Sequence, residues 1–450
     1  MAAAAPVLQY TPWLGDQRSF RRLCGVVQAW VQRAEASLPQ LLAAPAAVKA
    51  TYRFFANRAV SPAAILATAR PDCLTKLASE PRMLLLQDTT VLDFSHHPAT
   101  AGLGPTGTSK QHTRGFFVHS CLAATTSGVP RSVVAQQLWA RDPAAAGSGQ
   151  QRRQRAWAEK ESQRWWTVEQ ASQLGLPATV ETVTVADAEA DIFALFAAPR
   201  PPQAQLLIRV AQPQRKLEDG QALGVAAAAA PVWGHYTLRL PARATRPART
   251  AVCTLRVSRV PLRPPVPLTA LWVEEDQPPP GTAPLQRLLL TTLPVTTFFE
   301  AVVCVGYYAY RWLIEQYHFV LKTGCGVERL QLQTEDRLER AVATACLVAI
   351  RLLWLTCLER EQPAAPCTVV FEPAEWQALC CARSQTPVPP APPPTLQEAV
   401  RMVALLGGFL GRKGDGEPGP RTIWRGLTRL ADLAAMWRLL HPPPSVRESG

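Results

Sequence analysis

Met83-Leu84-Leu85-Leu86-Gln87-Asp88-Thr89-Thr90 is a β-prone apolar run that ends in an aspartate. Val183-Thr184-Val185-Ala186-Asp187 repeats the form, its aspartate 187 − 88 = 99 positions later. A short continuous apolar run reads as a buried strand. An aspartate at the end of such a strand sits where ligand-binding loops gather in open α/β sheets. Between the two, Phe116 to Ala124 and Val129 to Trp139 read as further strands. Strands carrying two such aspartates predict an α/β or mixed sheet core.

The chain around these strands has 450 residues, more than the roughly 250–300 at which single cores stop growing, so two or three domains are expected. With 48% hydrophobic and 18% charged residues it can bury a core, which excludes disorder by composition. Lys+Arg 47 against Asp+Glu 34 leaves +13, a balance that attracts phosphate backbones or anionic surfaces. The 11 cysteines include no C-x-x-C pair, and only Cys380 and Cys381 are neighbours. Neither a zinc knuckle nor a disulfide framework can be read, and a reducing cytosol is expected. The start, MAAAAPVLQY, lacks the positive region of a secretory signal. Ala341 to Leu358 is apolar but interrupted by Arg351, and Gly224 to Val232 is too short to span, so no transmembrane segment is expected.

Proline, 42 residues, clusters at Pro261 to Pro267, Pro278 to Pro280, Pro387 to Pro394 and Pro442 to Pro444. The first two clusters fall in a region of strands and turns from about Gln205 to Thr292, which reads as a β-rich insertion. Gln385 to Pro394 reads as a linker with a small helical C-terminal unit after it. Near the start, Phe20, Leu23, Cys24, Val27, Trp30, Val31 and Ala34 recur at helical spacing, with Arg18, Arg21, Arg22 and Arg33 on other faces. That basic amphipathic helix is either an ordinary solvated packing helix or a DNA contact.

Tyr307 to Gly324, YYAYRWLIEQYHFVLKTG, has no proline or internal glycine and predicts one helix. From Tyr308, residues Arg311, Glu315 and Lys322 follow at +3, +7 and +14. On an ideal helix these four lie at about 0°, 300°, 340° and 320°, one stripe. A solvated stripe with an i,i+4 ion pair between Arg311 and Glu315 is the plain reading. The sharper reading joins Glu315 to Asp88 and Asp187, since three carboxylates supply the hard oxygens that hold two Mg²⁺ ions for phosphoryl transfer. Arg311 and Lys322 would then hold a DNA phosphate, one by a bidentate fork and the other as a point charge.

The spacing Tyr308-x-x-Arg311-x-x-x-Glu315-x-x-x-x-x-x-Lys322 resembles the Y-R-E-K signature of bacterial DDE transposases of the insertion-sequence IS-four group. Further similar segments run in the family's order over nearly the whole chain. They include Leu14-Gly15-Asp16 with Arg18 and Arg22, Tyr52-Arg53-Phe54-Phe55, Gln87-Asp88-Thr89-Thr90, Gly115 to Ser120, Glu159 to Ser162, Asp187 to Ile192, Leu288 to Thr291, Leu406 to Leu410 and Trp424-Arg425-Gly426. The resemblance implies an α/β fold in which an RNase H-like catalytic core with a β-strand insertion is flanked by helical N-terminal and C-terminal domains. Its units would be a transposon-end DNA-binding domain over 1–70, a catalytic domain over 71–365 with the insertion at about 205–292, and a Pro-rich linker and dimerisation domain over 366–450.

It further implies Asp88, Asp187 and Glu315 as ligands of two Mg²⁺ ions, which Mn²⁺ can replace. Tyr308, Arg311 and Lys322 would hold phosphate, and Arg209 would contact the terminal strand. Such enzymes nick the transposon end with water, and the freed 3′-hydroxyl forms a hairpin that is reopened before strand transfer. The implied partners are double-stranded DNA, both terminal inverted repeats and target, and a second copy in a synaptic complex, with no membrane. The setting is the bacterial cytoplasm at the nucleoid. One departure stands out: Arg287 occupies the place before Leu288-Leu289-Leu290-Thr291 where a relative stacks a tryptophan on the flipped base. A guanidinium plane can stack on a base as well.

Rival acids stand close by in Asp93, Glu189 and Asp191. His96-His97, adjacent on a strand, would point to opposite faces and not chelate together. His119 reads as a satisfied core residue, Trp165, Trp166, Trp424 and Trp437 read as core, and for His318, at about 280° on the ideal helix, contact with DNA is the less favoured reading. Other functions stay open: a silent end-binding regulator, a nuclease without end specificity, and, less in keeping with the basic balance, a glycosidase with paired carboxylates.

Overall fold

Asp16 starts the first long helix by accepting the Ser19 N–H at 2.6 Å, and Gly15 supplies the positive φ of 95° on which the chain enters it. The computed structural model describes residues 8–442 apart from 43, 108–112, 143–153, 241–247, 263, 265 and 413–414. The expectations for the extreme N-terminus, and parts of the proline clusters at 261–267 and 442–444, lie outside the described residues. The N-terminal helices are α1 (Gln17–Gln32), α2 (Leu38–Leu42), α3 (Pro45–Ala56), α4 (Pro62–Ala67) and α5 (Arg70–Leu77). α1 has the expected two faces: Leu23, Val26, Val27, Trp30 and Val31 are buried, while Arg18 and Arg21 are exposed and Arg22 half-buried.

The apolar runs become strands of one mixed sheet. β1 (Arg82–Asp93), β2 (Gly104–Pro105), β3 (Arg114–Thr125) and β4 (Pro130–Trp139) precede α6 (Gln163–Gln173) and β5 (Glu181–Ala186). α7 (Phe193–Ala197), β6 (Ala204–Arg209) and α8 (Leu223–Ala229) lead to β7 (Val232–Leu240), β8 (Arg249–Leu262), β9 (Val266–Glu275) and β10 (Gln286–Thr291). The spatial order is β2-β3-β1-β5-β6-β10-β9-β8-β7, with β4 also on β3. β1, β5 and β6 run parallel, and the other pairings are antiparallel. Strands β7 to β9, within the region expected as an insertion, extend the same sheet through β10. That region also contains α8, where the alanine run 226–229 prefers helix.

Register decides which residues share a face. Gln87 pairs with Ala186, and Ala186 with Ile208. One position further, Asp88, Asp187 and Arg209 therefore stand in a row on one face, while Gln87, Thr89, Thr184 and Ala186 belong to the other.

After the sheet come α9 (Phe298–Ala309), α10 (Trp312–Phe319) and α11 (Glu335–Glu361), then α12 (Pro373–Ser384), α13 (Leu396–Leu406) and α14 (Pro420–Leu440). α11 is the one described helix long and apolar enough to cross a membrane, and it is buried inside the protein. Its neighbours include α1, α3 and α4 on one side and β4 on another. The end of α11 shares a second core with α12, α13 and α14, built on Leu355, Trp376, Leu379, Val400, Val403 and Ile423. This corrects the expected boundary: residues 385–394 join two helices of one core, so they are a surface crossover within the C-terminal unit rather than a linker before it. α/β architecture with helices at both ends is what the chain has.

Candidate active site

Asp88 does not end its strand as expected, since β1 continues to Asp93 against β3. It stands instead where the parallel partner stops, because the β1–β5 ladder closes at Gln87 and Ala186. Burial changes at the same point: Leu84, Leu85 and Leu86 are fully buried, and Asp88 is half-buried. Asp187 does end β5, and its Oδ1 accepts the Glu189 N–H at 2.9 Å to cap the turn that follows.

The segment bearing Glu315 is not one helix. The N–H groups of Tyr310 and Arg311 reach the carbonyls three residues back, each at 3.1 Å, which tightens the chain between α9 and α10. After α10, Val320–Gly324 widens to a π turn, with the Cys325 N–H on the Val320 carbonyl at 2.8 Å. Both irregularities sit at tertiary contacts. The Tyr310 ring occupies the place of a side chain at Gly128, whose Cβ would lie 2.3 Å from the ring, and Gly324 lies against the Trp424 indole. The ideal stripe therefore does not carry through. Arg311 and Glu315 still face each other and form an ion pair. Lys322, inside the π turn, lies 3.5 Å from Glu328, which also accepts the Asp93 N–H at 2.9 Å.

The charges of Asp187 and Glu315 nevertheless both reach Asp88. Burial, then the charges of Asp187 and Glu315, push Asp88 up to about 7, against the Thr89 N–H and Arg311. Thr89 donates that N–H to Asp88 Oδ1 at 2.8 Å. Arg311 is thus the cation within reach of both Asp88 and Glu315. Among the described residues, no three His, Cys, Asp or Glu side chains close on one point as a ligand set. Glu315 is turned to Arg311, with which it forms an ion pair.

His318 is buried, with Nδ1 3.7 Å from Asp88 Oδ2. Burial, then the Lys322 charge, pushes it down to about 3, so the ring is neutral near pH 7. No sequence spacing signalled this contact, because it depends on how α10 lies over the sheet. The rival acids serve the backbone. Asp191 accepts the Ala211 and Gln212 N–H groups at 2.8 and 2.9 Å and pairs with Arg215 at 2.6 Å, while Asp93 holds the Ser95 N–H at 2.9 Å. Glu189 is exposed.

Arg209 follows Ile208 in the row of Asp88 and Asp187, and Arg287, two residues before its β10 partner Leu289, lies on the same face. Arg287 is half-buried and donates to the Gln286 carbonyl at 2.9 Å. His119 is a satisfied core residue, bonded to Thr89 at 2.8 Å and Gln87 at 3.1 Å. His96 and His97 lie in a turn rather than on a strand, His96 exposed and His97 on the Glu328 carbonyl at 3.0 Å. Trp165 and Trp424 are buried, whereas Trp166 and Trp437 are half-buried.

Away from the sheet, Lys49, Tyr52 and Arg53 of α3 line an open groove with Arg337. The N-terminal helices and α14 meet through Glu35, which accepts the Trp424 indole N–H at 2.7 Å, and through an ion pair of Arg33 with Asp432.

A family model described as transposase DNA-binding matches residues 12–60. A second, described as the transposase Tn5 dimerisation domain, matches residues 347–439. The first covers α1 to α3 with their exposed arginines, and the second runs from within α11 to near the end of α14. Together they support a Tn5-type transposase with DNA and a second copy of the chain as partners.

Proposed function

We propose that the chain is a DDE transposase of the IS-four type, with an RNase H-like core, that cleaves DNA at the ends of an insertion sequence and joins them to target DNA by cut-and-paste transposition. One observation carries the reading. Asp88, Asp187 and Glu315 stand 99 and 128 positions apart in sequence, yet the charges of Asp187 and Glu315 both reach Asp88, adding to the burial that pushes it up to about 7.

The donor set fits a hard divalent cation such as Mg²⁺ or Mn²⁺, because all three ligands are carboxylates and their mutual repulsion is what such a cation relieves. When bound, two such ions activate the attacking oxygen and stabilise the leaving oxygen. Asp88, Asp187 and Glu315 would hold them. As Glu315 turns toward the aspartates it releases Arg311, whose fork is then free for the scissile phosphate, with Tyr308 beside it and Lys322 further along the segment. Arg209 and Arg287, on the same face, flank the DNA end. Arg287 offers a planar group for the flipped base of a hairpin step. Arg18, Arg22 and the groove at Lys49 and Arg53 serve end binding, and the C-terminal helices pair two copies in a synaptic complex. A DNA-handling protein of this kind works in the bacterial cytoplasm at the nucleoid.

The test is cleavage of a labelled duplex carrying the element's own ends, with Mg²⁺ or Mn²⁺, by parent and Glu315→Gln. A metal-dependent nick at the boundary that the variant loses is the expected result, and a hairpin product would show Arg287 competent for that step. Glu315's pairing with Arg311 favours one other reading, an end-binding relative without catalysis. Ends bound but intact with both proteins would establish it.

A further inference from the structure

α6 lies on the face of the sheet opposite the three carboxylates, and its Glu169 is buried there at 2% exposure. Glu169 Oε2 accepts the Gln87 amide at 2.9 Å from β1 and also the Thr184 hydroxyl from β5. Oε1 accepts the Gln173 amide at 3.0 Å, and Gln173 exchanges hydrogen bonds with Thr182 of β5 at 3.0 and 3.2 Å. Gln87 immediately precedes Asp88, and Thr184 stands three residues before Asp187. A single carboxylate oxygen therefore ties together the two strands that carry the aspartates.

His119 on β3 completes the brace. Its Nε2 is 3.1 Å from Gln87 Oε1 and its Nδ1 2.8 Å from Thr89 Oγ1, so both residues flanking Asp88 are held. The network also fixes its own orientation. Gln87 gives its amide N–H to Glu169 and its oxygen to His119 Nε2–H, which leaves Nδ1 to accept from Thr89. For stability alone, an apolar side chain of similar volume would serve as well as a buried carboxylate. What the carboxylate adds is placement. Because strand side chains alternate, none of these groups touches the opposite face, and each acts only through the backbone next to the aspartates.

We propose that Glu169 is a positioning residue that sets the separation of Asp88 from Asp187, and with it the affinity of the site for a divalent cation. The inference rests on the metal-site reading above. In Glu169→Gln, whichever way the amide turns, a donor replaces one acceptor oxygen and at least one of the Gln87, Thr184 and Gln173 bonds is lost. Exchanging the pair, Glu169→Gln with Gln87→Glu, restores a donor facing an acceptor between α6 and β1.

The measurement is Mn²⁺ binding to the full chain without DNA, read by electron paramagnetic resonance of the free ion, with Asp88→Asn as reference and melting temperature and end-duplex affinity recorded alongside. Glu169→Gln is expected to weaken Mn²⁺ binding about ten-fold or more, the usual scale for groups behind metal ligands, with metal-free end binding at the parental Kd and recovery in the exchange variant. Parental Mn²⁺ affinity in folded Glu169→Gln, with or without a lowered melting temperature, overturns the positioning role alone. Equal Mn²⁺ binding by parent and Asp88→Asn overturns the metal site, and this inference with it.

Discussion

Glu315 pairs with Arg311 while its charge still reaches Asp88, so removing that charge acts on the site more than on the fold. The Glu315 side chain is 52% exposed against 18% for Arg311, so solvent screens the pair from the carboxylate side and its contribution is on the order of 1 kcal/mol. Glu315→Gln should therefore melt near the parent temperature and bind ends normally, while its cleavage rate falls by about 10²-fold or more, the scale of losing one preorganised electrostatic group. Parental cleavage in the variant would refute the role. Glu359 offers a test at a second residue. It is 1% exposed, and burial, then the neighbouring Glu417 charge, push it up to about 7. Between its ordinary range and pH 7 the folded chain holds a proton that the unfolded chain releases, so stability falls as pH rises through that window. Glu359→Gln should remove this cost, raising stability at pH 8 by up to about 3 kcal/mol with little gain at pH 4. Denaturant midpoints at the two pH values check it, and an equal gain at both would refute it.

At the scale of elements, the two irregular turns around α10 deliver Arg311 and Glu315 to the aspartates. Gly128 permits the first of them, having a φ of 87° and leaving room for the Tyr310 ring. Gly128→Ala should cost about 1–3 kcal/mol from backbone conformation and overpacking together. It should also lower cleavage more than end binding, because the displaced ring lies at the junction of α9 and α10. Equal losses in both activities would mean that the junction does not set the site. α10 itself is positioned from beneath by α11, which is buried along most of its length.

At the scale of the molecule, the two family matches lie at opposite ends of the sequence, and the fold brings them into contact through Glu35 with Trp424 and Arg33 with Asp432. The end of α14 nevertheless leaves Met436 and Leu439 exposed at 56% and 74%, within the residues matching the dimerisation domain. Burying such apolar side chains against a second copy is favourable by about 1.5–3 kcal/mol each. Leu439→Glu should raise the dimer dissociation constant about ten-fold or more, seen as a shift to monomer mass by light scattering at equal concentration, with the melting temperature unchanged. A parental dimer would place the interface elsewhere on the C-terminal helices.

Local chemistry was legible in the sequence. Periodicity showed α1, the apolar runs showed β1, β3, β4 and β5, and the change from apolar residues to aspartate marked the row of Asp88 and Asp187, because burial and alternation are written into neighbouring residues. Contacts between distant segments were not. The break at Tyr310 depends on a glycine far away in sequence, the burial of His318 on how α10 crosses the sheet, and the extent of the C-terminal core on α12 folding back across residues 385–394. Glu169 shows the limit most plainly. On its own helix it reads as one more charged residue, and only the register of β1 and β5 brings Gln87 and Thr184 to its carboxylate, since pairing between strands is decided by tertiary packing rather than by any one segment.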